Sequence, residues 1–185
     1  MSLRTLLCCC LLLLPSLASA APEPIKLKMN KALCIEGEQA VACARAGVMY
    51  DQQKQKKLAF SFYKRACFHK DSPVGMACFL QGLLIRGKAA SLPLFRRGCK
   101  LKDADACEAA GEYLFLNNTT RQQAAPWLKK GCVGGVLRSC HFWGRWMQWK
   151  KKPRKALKLW NIACTNKYGP ACADLGLWYQ KRKPL

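Results

Sequence analysis

"RACFHKDSPVGMACFLQG", residues 65–82, holds two cysteines, Cys67 and Cys78, and a glycine, Gly82, four residues after the second. Close copies return as "RGCKLKDADACEAAG" (97–111), "KGCVGGVLRSCHFWG" (130–144) and "IACTNKYGPACADLG" (162–176). Counting the earlier pair Cys34/Cys43, the first cysteines of the five pairs are spaced 33, 32, 33 and 32 residues apart. A fixed period of this size is the signature of a stacked repeat array.

The register extends beyond the cysteines. Each second cysteine is followed four residues later by glycine: Gly47, Gly82, Gly111, Gly144 and Gly176. Four residues before each later first cysteine stands a large side chain (Tyr63, Phe95, Leu128 or Trp160). Eight before it stands a small one (Ala59, Ser91, Ala124 or Ala156). Offsets of four and eight share one face of a helix. Each unit therefore reads as two antiparallel helices. Helix A begins near the second cysteine and helix B ends at the next first cysteine. Small residues allow close approach, and the large ones are expected to fill the seam between neighbouring units. A single pair cannot bury its apolar face alone, so the units must stack.

Two cysteines eight residues apart in one straight helix would lie about 12 Å apart, at 1.5 Å per residue. A disulfide needs Cα atoms within about 7 Å. If they pair locally, the chain must reverse between them, and the Asp-Ser-Pro, Gly-Gly and Gly-Pro segments permit that. Several hundred connectivities are formally open to ten cysteines. The repeat favours Cys34–Cys43, Cys67–Cys78, Cys99–Cys107, Cys132–Cys140 and Cys164–Cys172.

The N-terminus predicts export. Arg4, the apolar run Leu6–Leu14, Pro15 and the closing Ala18-Ser19-Ala20 form a signal-peptide pattern over residues 1–20. The run is too short for a membrane anchor, which needs about 20 apolar residues. Cys8, Cys9 and Cys10 lie too early for a lipidated cysteine. Removal of 1–20 takes away three of thirteen cysteines and one positive charge, leaving ten cysteines and 22 − 1 = +21. An even, high cysteine count in an exported chain reads as a disulfide framework. Residues 21–185 are expected to form one all-α, α/α solenoid: a partial N-terminal cap, four Cys-x-x-x-Gly units and a truncated C-terminal unit.

The Cys-x-x-x-Gly helix start, the small residue eight before the next cysteine and the alternate cysteine pairs resemble Sel1-like (TPR-like) repeats. The chain is most similar to their cysteine-rich subgroup, typified by the Helicobacter cysteine-rich proteins. The resemblance spans roughly residues 25–180. It departs in a short second unit, and in Pro93 and Pro126, which should start their helices late or kink them. It implies an adaptor that binds protein, and for some bacterial members an immunity role against toxic periplasmic phospholipases. It also implies the bacterial periplasm as the compartment, with eukaryotic secretion as the other route. Members of the subgroup described as penicillin-binding or β-lactamase-like supply the enzymatic alternative.

For that alternative, "SFYK" offers Ser61-x-x-Lys64, the nucleophile spacing of penicillin-recognising enzymes. The companion Ser-Asp-Asn and Lys-Thr-Gly motifs are absent, and a non-enzymatic reading is favoured. His69 and His141 lie beside cysteines, but the pairing of those cysteines points away from metal. No cofactor is expected. The charge is the stronger hint. Lys54, Lys56 and Lys57 recur as Lys150, Lys151, Lys152, Arg154 and Lys155 in the equivalent turn from helix A to helix B. Arg86, Lys88 and Arg121 fall in the same segment of their units. Stacking would align these turns as a cationic edge for anionic envelope polymers, lipid head groups or an acidic protein patch. Nucleic acid matches the charge but not the exported compartment. Trp143, Trp146 and Trp149 form a stripe that reads either as core or as an aromatic binding surface beside that edge.

Overall fold

The computed structural model describes residues 23–85 and 88–181, and every regular element among them is helical. The signal-peptide segment 1–20 lies outside the described residues. The helices are α1 (Ile25–Ile35), α2 (Ala40–Gln52), α3 (Lys56–Cys67), α4 (Gly75–Leu84), α5 (Lys88–Lys100), α6 (Ala104–Leu116), α7 (Ala125–Val133), α8 (Leu137–Trp149), α9 (Pro153–Thr165) and α10 (Gly169–Gln180). Odd-numbered helices end on a first cysteine and are the B helices. Even-numbered helices begin near a second cysteine and are the A helices. The fold is an all-α, α/α solenoid.

Each helix forms because its apolar residues share one face. In α3, Ala59, Phe62, Tyr63 and Ala66 are buried while Lys56, Lys57, Lys64 and Arg65 are exposed. Asp103 caps α6, its carboxylate accepting from the Ala106 N–H at 2.7 Å. Pro126 delays α7, which is preceded by a single 3-10 turn at Arg121–Gln123. Pro93 behaves differently. It sits exposed inside α5, five residues past the helix start, where its missing N–H denies the Ala89 carbonyl a helical bond.

The conserved register resolves into a lock within each A–B pair. A Cβ added to Gly47 would lie 2.6 Å from the Tyr63 ring. At Gly82 it would lie 2.5 Å from Phe95, at Gly111 2.7 Å from Leu128, and at Gly144 2.4 Å from the Trp160 indole. Glycine is required there because the next helix drives a large side chain against the A-helix backbone. The expectation that these side chains fill the seam between units is therefore corrected: they fill the joint inside each unit.

The seam between units is built from smaller groups. All five predicted disulfides are present, with S–S distances of 1.98–2.11 Å and Cα–Cα separations of 4.5–4.7 Å. Beside each bridge the helices meet through small residues. Gly98 packs on Ala106, and Gly131 packs on Ser139, whose hydroxyl donates to the Leu128 carbonyl at 2.9 Å. Ala42, Ala77, Ala106, Ser139 and Ala171, one residue before each second cysteine, are all buried. Any larger side chain at this position would push apart the backbones that the disulfide holds together.

Helix ends close on positive-φ residues. Lys54 and Lys151 after A helices adopt φ of 62 and 56°, Lys102 and Lys167 after B helices 66 and 65°, and Gly135 serves the latter place in its unit at 90°. The N–H after each reaches back five residues, as from Gln55 to the Tyr50 carbonyl and from Lys152 to the Met147 carbonyl, each at 2.9 Å. These are Schellman-type caps with lysine where glycine is usual. A left-handed lysine is strained, while its ammonium sits at the negative end of the helix dipole.

Candidate functional site

The A helices approach one another directly, α4 against α6 and α6 against α8, and so form the inner face of the stack. Here a cavity of about 330 Å³ opens between four helices. Phe79 and Leu83 of α4, Phe95 of α5 and Tyr113 of α6 give it apolar and aromatic walls. Glu108 and Glu112 of α6 and Arg138 of α8 give it a polar floor. The spacing of four between the two glutamates places both carboxyls on the inner side of α6.

Glu108 is only 8% exposed, and burial pushes its pKa up to about 7 against the opposing pull of Arg138. Glu112 and Asp105 add to the upward shift. The Arg138 Nε lies 3.5 Å from Glu108 Oε1, and its Nη2 donates to Glu112 Oε1. Glu108 Oε1 itself is buried with no hydrogen-bond partner. Further along the face, His141 Nε2 and Asp174 Oδ2 are 2.8 Å apart and tie α8 to α10. The His141 ring rests between Phe142 and Tyr168.

The cationic residues named from the sequence lie elsewhere. Lys54, in the turn after α2, and Lys56 and Lys57, in the first turn of α3, are exposed, as are Lys150, Lys151 and Lys152 after α8 and Arg154 and Lys155 in the first turn of α9. Arg86 and the side chain of Lys88 lie outside the described residues. Arg121 is half-buried and engaged with its own chain. Its Nε donates to the Phe115 carbonyl at 2.9 Å, and its guanidinium lies 5.7 Å from the Trp149 ring centre. Trp143 and Trp146 pack on the cluster of Leu114, Phe115, Leu128 and Phe142, and Trp146 Nε1 donates to the Arg121 carbonyl at 2.9 Å. Trp149, with Lys150 Nζ 4.8 Å from its ring centre, is the exposed member of the stripe.

Ser61 and Lys64 are exposed on α3, and the Ser61 hydroxyl donates to the Leu58 carbonyl of its own helix at 2.8 Å. His69 Nε2 is 2.7 Å from the Glu38 carbonyl oxygen. All ten cysteines of the repeat are in disulfides, which leaves none of them as a thiolate for metal.

Two features escaped the sequence. In the sequence Glu108 and Glu112 read only as acids near a helix N-terminus, partners of its dipole, because nothing local shows that α4, α5 and α8 wall them in. A second gathering of cations, Lys100, Lys102, Lys129 and Lys130, rims an open basin of about 690 Å³ at the turns from B to A helices. The signal was there in the lysines flanking Cys99 and preceding Cys132.

No protein-family model and no curated protein sequence matches the chain. Solved structures do. A Sel1 repeat protein from Oxalobacter formigenes superposes with a TM-score of 0.68 at 20% identity, over 83% of this chain and 68% of that one. YrrB, described as a TPR protein with an unusual peptide-binding site, gives a TM-score of 0.55 at 19% identity, over 81% of each chain. MamA gives 0.54 at 18% identity, over 78% of this chain and 88% of that one. With the Cys-x-x-x-Gly register and its two-helix units, these likenesses identify the architecture as a Sel1-like, TPR-type repeat fold.

Proposed function

We propose that this protein is an exported scaffold that holds a segment of a protein partner along its inner face. The observation that carries the reading is the cavity between α4, α5, α6 and α8, where aromatic walls meet a few polar groups on a rigid, disulfide-braced frame. The peptide-binding site ascribed to the similarly folded YrrB supports the same use. Five disulfides fit an oxidising compartment, and among the described residues no helix is long and apolar enough to cross a membrane. The periplasm is the compartment we favour, and immunity against an envelope-directed effector is the role there.

The lysine-rich turns and the basin around Lys100 and Lys130 serve as a second, electrostatic contact for an anionic surface on the partner or on the envelope. No observation favours β-lactam chemistry at Ser61, which is exposed and bonded within its helix.

The test is capture from cell-envelope extract with the oxidised protein, read by mass spectrometry at low and high salt. One protein retained at both salts supports the scaffold. Retention of polyanions or lipids alone, lost at high salt, assigns the function to the basic surface and overturns the groove reading.

A further inference from the structure

The chain carries 32 lysines and arginines against ten acidic residues, yet three of those ten fall on one stripe of α6. Asp105, Glu108 and Glu112 stand at i, i+3 and i+7, a single helix face. The last two form the floor of the inner cavity, with Arg138 as the one cation among its described lining residues. The carboxylates there outnumber the cation that meets them. With Glu108 ionised, above about pH 7, the two carboxylates and one guanidinium leave this lining net negative in a protein that is otherwise strongly basic.

The second observation is the state of Glu108. The residue is more than nine-tenths buried, it lines the cavity, and its Oε1 accepts no hydrogen bond. Its one charged neighbour, the Arg138 Nε at 3.5 Å, pairs with it without a hydrogen bond, so an arriving N–H donor would supply a bond this buried oxygen lacks. The surrounding walls suit such a donor only if it comes on an apolar stem. Phe79, Phe95 and Tyr113 offer ring surface to both methylenes and a cation. At about 330 Å³ the cavity lies at the small end of ligand pockets, which run from about 300 to 1,000 Å³. That is room for one long side chain, not for a folded domain.

We infer that the inner cavity is a specificity pocket for a lysine or arginine side chain of the bound segment, with Glu108 and Glu112 pairing with its cationic head. The inference rests on the scaffold reading above and adds its chemistry: the groove selects a basic residue although the protein as a whole is basic. Arg138 holds the two carboxylates in place until the segment arrives, and its half-exposed side chain lets the incoming cation share them. In this arrangement specificity comes from rejection as well as attraction, since an acidic residue would meet two carboxylates and a short polar one would leave the Glu108 Oε1 without a hydrogen-bond donor.

The test is a titration of ¹⁵N-labelled, disulfide-intact protein with butylguanidinium, using butylurea as the neutral isostere. Saturable amide shifts confined to residues 79–83, 108–113 and 138, at least fivefold weaker for butylurea, are expected. Glu108→Gln with Glu112→Gln should weaken butylguanidinium at least tenfold. Should that pair of changes impair folding, Leu83→Trp narrows the mouth from an exposed position and should also weaken binding. Equal binding of the two probes, or shifts unchanged by either variant, overturns the pocket. Envelope capture run in parallel separates the two readings. A partner held equally by wild type and the glutamine variant keeps the scaffold and overturns the cationic pocket. Saturable butylguanidinium binding with no protein captured does the reverse.

Discussion

Two sets of positions on the A helices follow opposite rules. Four residues after each second cysteine the sequence never varies: Gly47, Gly82, Gly111, Gly144, Gly176. Directly after the same cysteine it never settles: Ala44, Phe79, Glu108, His141, Ala173. In the first four units the first position meets the following B helix, which poses the same packing problem each time. The second is alanine in the two end units and differs in the three between, with Phe79 and Glu108 on the inner cavity and His141 on its bond to Asp174. Repetition marks what the fold needs, and its absence marks where this protein has become particular.

The disulfides give the largest test of the repeated set. Cys132–Cys140 and Cys164–Cys172 both span eight residues, although the first lies inside the stack and the second joins its last two helices. If a bridge acts through the unfolded chain, loop length alone sets its effect, at about 2.5 kcal/mol for either. Replacing each pair by alanine should lower urea-unfolding stability by similar amounts. A loss much greater for the inner pair would assign the effect to packing instead.

Gly144→Ala comes next. Its methyl would meet the Trp160 indole at 2.4 Å, and Trp160 is fully buried with its Nε1 bonded to the His141 carbonyl. Overpacking of this kind costs about 2 kcal/mol, a fall in Tm of roughly 4–8 °C for a chain of this size. Unchanged melting would mean the lock is looser than its geometry.

The fold was readable because it is written several times over. Period, pairing and the glycine–aromatic register each recur, so a chance match at one unit is outvoted by the rest. Positions that use the same backbone trick with an unexpected residue were not readable. Lys54, Lys102, Lys151 and Lys167 hold the left-handed cap that Gly135 holds in its own unit, and lysine carries no such signal. The site was harder still. Arg121 was counted with the basic edge but spends its guanidinium on Phe115 and Asn118. Glu108 and Arg138 are thirty residues apart, and only the stacking of α6 beside α8 brings them together.

At the unrepeated position, Glu108→Gln should change the pH dependence of stability. The folded protein holds this proton up to about pH 7, whereas an ordinary glutamate releases it near 4.5. Between those values the folded state binds more protons, so stability must fall as pH rises from about 4.5 to about 7 and level off above. Glutamine removes that slope. After allowance for the weakened contact with Arg138, the variant should be about 1–2 kcal/mol more stable than wild type at pH 8, and close to it at pH 4.5. Urea midpoints of the two proteins that diverge across this range would show it; midpoints that keep a constant offset would mean that Glu108 ionises as if in water.

The smallest effect sharpens the comparison most, because it reverses the sign within the invariant set. Gly176 keeps the register but nothing lies within 4 Å of a Cβ placed on it, and it sits in the interior of α10 without a positive φ. Its glycine therefore satisfies no packing demand among the described residues. It bears only the helix cost of glycine relative to alanine, about 0.5–1 kcal/mol. Gly176→Ala should accordingly raise stability by that amount, where Gly144→Ala lowers it, the same chemical change differing only in whether Trp160 or open space stands opposite. Amide hydrogen exchange across α10 would register the gain locally, as slower exchange at 173–180. Destabilisation at Gly176 instead would require a side chain to occupy that notch, in the role Tyr63, Phe95, Leu128 and Trp160 play in the other units.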